Sequence, residues 1–84
     1  MQRQELVLVV IEAVQAALKD PTVVVEETTA LQDLRGFDSL ALVDIIERLE
    51  RQSGIEIDPA LILPETFASP RTIADALIES RQGG

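Results

Sequence analysis

Eighty-four residues make one small domain, near the size at which a single hydrophobic core becomes marginal, and an apolar content of 46% argues against disorder. A net charge of −8 with only seven Lys and Arg excludes nucleic acid as a partner, and two phenylalanines give bases no wide platform to stack on. With no cysteine and no histidine the chain has no disulfide framework, no thiolate and no ordinary zinc site.

The longest apolar run, Leu6 to Ile11, is far too short to span a bilayer. The start, Met1-Gln2-Arg3-Gln4-Glu5, places an acid before that run, and no small-residue cleavage site follows it, unlike a signal peptide. A cytoplasmic protein without a membrane partner is expected. Leu6 to Ile11 has the composition of a buried strand, but it continues without a turn signal through Glu12 to Leu18. That length predicts one helix of about four turns, ended before Pro21.

Residues 21–37 hold no helical pattern longer than a turn. Leu31 and Leu34 are expected to pin this connection to the core, with one turn at Thr29 to Leu34. A loop this long in so small a domain is unusual, and such loops tend to be functional. From Ser39 to Gln52 the pattern is strongly helical, with Leu42, Ile45, Ile46 and Leu49 on one face. Asp38 is placed as its N-cap and Gly54 as its left-handed C-terminal residue. Leu40 and Val43 fall off the buried stripe, beside Asp44, Glu47 and Glu50.

Pro59 and Pro64 interrupt the next connection, after which Pro64 to Phe67 reads as a short helical turn burying Phe67. Ser69-Pro70 is a cap followed by proline at the first helical position, and Ile73, Ala74, Leu77 and Ile78 face the core of the last helix. The expected fold is all-α, a small four-helix bundle of three longer helices and one short one. It forms a single domain over 1–84, with a loose tail at 82–84.

Ser39 stands at a helix start, where amide groups and the helix dipole favour an attached phosphate. A serine nucleophile would need a general base, and neither histidine nor a usable lysine is at hand, since Lys19 sits beside Asp20 at a helix end. The carboxylates lack a sugar cleft, and Asp33, Asp38 and Asp44 lack the spacing of a calcium loop. Enzyme activity is therefore not expected.

Gly36-Phe37-Asp38-Ser39-Leu40 resembles the Gly-x-Asp-Ser-Leu signature of acyl and peptidyl carrier proteins. The likeness extends from Leu6 to Ile78 through chain length, helix pattern, acidic balance and the position of the serine. It implies an acyl-carrier-protein-like bundle in which Ser39 is esterified with 4′-phosphopantetheine from coenzyme A. The arm's terminal thiol would then hold an acyl or aminoacyl group as a thioester. It further implies that Asp38 and Leu40 complete the motif read by a phosphopantetheinyl transferase. Leu40, Val43, Asp44 and Glu47 would face partner enzymes: an adenylating or acyl-loading enzyme, an acyltransferase or a ketosynthase. Such a charged patch suits fast, salt-sensitive encounters.

Carriers of fatty-acid synthesis that resemble this chain most often have an acid straight after the Ser-Leu pair and a more continuously acidic second long helix. This chain has Ala41 there, and Arg48 and Arg51 among the acids. Leu63 to Pro70 is similar to the corresponding region of stand-alone aminoacyl and peptidyl carriers, and the Gly-Phe-Asp-Ser-Leu wording to polyketide carriers. The reading is thus a free-standing, monomeric carrier of polyketide or nonribosomal peptide biosynthesis. The alternatives are a fatty-acid-synthesis carrier and a helical protein-interaction module that bears no arm.

Overall fold

A computed structural model describes residues 2–20 and 22–83, without the side chains of 82 and 83. Three α-helices, α1 (Arg3–Leu18), α2 (Ser39–Ser53) and α3 (Pro70–Gly83), are joined by connections that contain 3₁₀ turns at Leu31–Asp33 and Pro59–Leu61. No strand occurs among the described residues.

α1 carries apolar residues on most of its circumference. Leu6, Val7, Val10, Ala13 and Val14 are buried, while Val9, Ile11, Ala17 and Leu18 pack partly against the same core. A helix apolar over so wide an arc can satisfy two neighbours, and α1 packs against both α2 and α3, which touch each other less. The valines that would suit a strand are accommodated because packing outweighs their small helical penalty. The Glu5 side chain accepts the Gln2 N–H at 3.3 Å at the start. At the end Lys19 turns left-handed at φ 57° and donates its N–H to the Gln15 carbonyl.

The connection from α1 to α2 is fastened at several points. Asp20 accepts the Thr22 N–H at 2.9 Å and the Thr22 hydroxyl at 2.6 Å. Val25 is buried, and two main-chain bonds tie this connection to the segment around the start of α3. Leu31 N–H donates to the Ala68 carbonyl at 2.9 Å, and Arg71 N–H to the Glu27 carbonyl at 2.9 Å. Leu31 is wholly buried and Leu34 half-buried, so both anchor the loop as expected.

The buried line of α2 is Ala41, Ile45 and Leu49, with Leu42 and Ile46 half-buried on its flank. The expected stripe therefore faces the core, with Ile45 and Leu49 fully buried, Leu42 and Ile46 packed against the same core, and Ala41 buried beside them. α3 begins with a reciprocal pair: Ser69 N–H donates to Thr72 Oγ1 at 3.0 Å and Thr72 N–H to Ser69 Oγ at 3.3 Å. Ile73, Ala74, Ala76 and Leu77 are buried in it. Arg3 and Asp75 join α1 to α3 at the surface, 2.8 Å apart.

The expected short fourth helix is not formed as a helix. Pro59–Leu61 makes a 3₁₀ turn, and Leu63 then accepts the N–H groups of Thr66 and Phe67 at 3.0 and 3.3 Å, one isolated turn. Pro59, Pro64 and Pro70 each remove a donor, leaving too few consecutive residues to propagate. Phe67 is buried all the same. The expected tail at 82–84 falls largely outside the described side chains: α3 reaches Gly83, and Gly84 is not described.

Candidate functional site

The site is made by the entry into α2. Gly36 takes φ 89°, a conformation open to glycine, and turns the chain from the Leu31–Asp33 turn toward the helix. Phe37 N–H closes the turn on the Leu34 carbonyl at 3.2 Å. Asp38 then adopts an extended backbone, and its carboxylate accepts the Ala41 N–H at 2.9 Å while its carbonyl accepts the Leu42 N–H at 2.9 Å. One residue thus satisfies two first-turn donors, as the sequence predicts for an N-cap.

Ser39 is the first residue of α2 and is exposed. Its position is fixed by the cap before it and by the buried Ala41 and Ile45 after it. Beside it opens an apolar groove of about 380 Å³ lined by Phe37, Leu42, Ile62, Leu63, Pro64 and Phe67, with Gln32, Asp38 and Ser39 also on its wall. The groove exists because the broken segment 62–67 approaches the start of α2 without covering it. No sequence pattern marks it.

The other residues implicated by the motif are brought together on the same helix. Leu40 is 81% exposed and Val43 54% exposed, the barest large apolar residues of α2. Asp44 is half-buried and holds Arg48 one turn on, at 3.1 Å. Glu47 is exposed. Glu50 faces another way: its carboxylate accepts the N–H of the buried Ile57 at 3.1 Å, pinning the connection that follows α2. Sequence reasoning missed that role, since no pattern marks a contact seven residues apart across a loop.

The described residues contain no cluster of acids that could hold a metal ion. Among them no helix is long and apolar enough to cross a membrane. In the connection after α1, bonds from the Thr22 hydroxyl and amide hold the Asp20 carboxyl below its usual range.

A hydroxyl exposed at a capped helix start, next to an apolar groove, fits a phosphodiester-linked arm. The oxygen can be reached, the helix dipole favours the phosphate, and the groove gives an apolar chain a wall to lie along. The family model for the phosphopantetheine attachment site matches residues 9–77, and the chain belongs to that family. It is a carrier domain, bearing covalently attached 4′-phosphopantetheine and meeting phosphopantetheinyl transferases and acyl-processing enzymes. No curated protein and no solved structure matches it.

Proposed function

We propose that Ser39 bears the arm and that this carrier presents an acyl or aminoacyl thioester to enzymes of polyketide or nonribosomal peptide biosynthesis. The observation that carries the assignment of Ser39 is its exposure at the first turn of α2, directly after the capping Asp38 and beside the groove. In the loading step, Ser39 Oγ bonds to the phosphopantetheinyl phosphorus of coenzyme A. The pyrophosphate link breaks, adenosine 3′,5′-bisphosphate leaves, and the hydroxyl proton passes to a base of the transferase. This chain contains no histidine to take it.

Once attached, the arm supplies a thiol that tethers the cargo at high effective concentration near each docked enzyme. Asp38 sets the backbone around the hydroxyl, and Leu40, Val43, Asp44 and Glu47 form the face met by partners. The pathway assignment is supported by the mixed charge of α2, where Arg48 and Arg51 interrupt the acids, and by Ala41, buried at the position after the Ser-Leu pair. A chain free of cysteine suits a reducing cytoplasm, where the carrier acts as a monomer.

Incubation with a broad-specificity phosphopantetheinyl transferase and coenzyme A, followed by mass spectrometry, tests the assignment. The intact chain is expected to gain one phosphopantetheine mass and Ser39→Ala none. A gain that persists in Ser39→Ala would overturn it. Loading assays with adenylating enzymes and ketosynthases then test the pathway; acylation by fatty-acid-synthesis enzymes alone would reject it.

A further inference from the structure

The acids on the outer face of α2 are each followed one turn later by an arginine. Asp44 pairs with Arg48 at 3.1 Å. Glu47 and the exposed Arg51 stand at the same spacing and in the same acid-before-base order, which is the favourable one on a helix. Glu50 is engaged with the Ile57 N–H. Of the net charge of −8, only −1 belongs to α2, whose residues 39–53 hold Asp44, Glu47 and Glu50 against Arg48 and Arg51. The acidity of the molecule lies on its other elements.

We infer that the outer ridge of α2 is a self-neutralised docking surface. Its partner presents an apolar recess for Leu40 and Val43, and not a patch of lysines and arginines. This rests on the carrier reading above and names the kind of partner that reading requires. Leu40, 81% exposed, and Val43, 54% exposed, form the anchor, since burying two such side chains is what the ridge offers when its net charge is only −1. Arg48 and Arg51 add discrimination. A basic face that suits a uniformly acidic helix would meet like charge here and be rejected. The salt-sensitive encounter expected of the patch around Leu40, Val43, Asp44 and Glu47 does not follow, because steering depends on net charge and Arg48 and Arg51 offset the acids there.

The test uses the full chain, loaded with the arm and checked by mass. Failure at that check would overturn the carrier reading, and this proposal with it. The loaded protein is offered to an acyl-loading enzyme whose carrier-binding face is rich in lysine and arginine. Initial rates are read from about 25 to 300 mM sodium chloride. This chain is expected to be a slow substrate whose rate changes by less than about twofold over that range. R48E/R51E is expected to gain about fivefold or more at low salt and to lose the gain at high salt. R48Q/R51Q, which adds no like charge to the helix, should show a smaller gain in the same direction, and circular dichroism reports whether either variant keeps its helices. A steep fall with salt in the unaltered chain, or no gain in either variant with helicity intact, would overturn the proposal.

Discussion

Leu18, the last residue of α1, lies beneath Gly36, so that a Cβ on this glycine would stand 3.7 Å from Leu18 Cδ2. That distance is ordinary contact, so space does not forbid a side chain; the backbone does, at φ 89°. Gly54, at φ 72° with nothing near its missing Cβ, is the control at the other end of α2. Gly36→Ala and Gly54→Ala are each expected to lower stability by about 1 kcal/mol in urea denaturation. Only Gly36→Ala should also slow addition of the arm, followed by mass spectrometry, because only that turn sets the approach to Ser39.

Asp38 has two separable attributes, an acceptor oxygen and a charge. Asp38→Ala removes the bond to the Ala41 N–H and is expected to cost about 1 kcal/mol. Asp38→Asn keeps an acceptor and should stay within a few tenths of a kcal/mol of the parent. If the transferase reads the carboxylate, the Asn variant will fold normally and still be modified slowly; equal rates for it and the parent would reduce Asp38 to a cap.

Glu50 distinguishes holding the fold from meeting partners. Glu50→Ala leaves the Ile57 N–H without its acceptor and is expected to destabilise by about 1–2 kcal/mol. Acyl transfer at a temperature where the variant remains folded should be unchanged. Leu40→Ala should give the opposite result, slowing transfer while altering stability by under about 0.5 kcal/mol.

Phe67 forms part of the groove wall and is 3% exposed, whereas Leu63 on the same wall is 44% exposed. Phe67→Ala is expected to cost about 3–4 kcal/mol in thermal or chemical denaturation, enough to threaten so small a domain. Leu63→Ala should cost less than about 1 kcal/mol, making it the variant with which to alter the groove without losing the fold.

Acid stability is expected to depend on Asp20. Its carboxyl is held low by the bonds from the Thr22 hydroxyl and amide, so in the unfolded chain it binds a proton at higher pH than in the folded one. The stabilisation is complete above the ordinary carboxylate pKa and is lost as pH falls through the lower folded value. Asp20→Asn should flatten that limb of the stability curve, measured by urea denaturation from neutral pH downward, and leave the neutral end parallel to the parent.

The termini of α2 were readable from single letters, because Asp38 and Gly54 act through their own side chain or its absence. The length of α1 was readable too, since no breaker divides Leu6 from Leu18. What the letters did not carry is depth. Leu42 and Ile46 pack against the core but stay half-buried, whereas the small Ala41 is buried, and periodicity alone does not grade burial along a stripe. The short helical turn expected at Pro64 to Phe67 forms, but it stays an isolated turn and makes no fourth helix, because the prolines on either side act together, not singly. The groove beside Ser39 arises from what the 62–67 segment fails to cover, and a gap has no residue to announce it.

The two bonds that fasten the long connection, Leu31 to Ala68 and Arg71 to Glu27, run from main chain to main chain. No side chain is asked to make them, so at the exposed Arg71 almost any residue other than proline could donate the same bond, whereas Leu31 is held in addition by its buried side chain. The exposed letters around them, Glu26, Glu27, Thr28 and Ala68 among them, are therefore free to be rewritten for a new neighbour while Ser39 stays where it stands. A carrier built this way can add loop contacts for a new neighbour while the face of α2 and its serine stay in place.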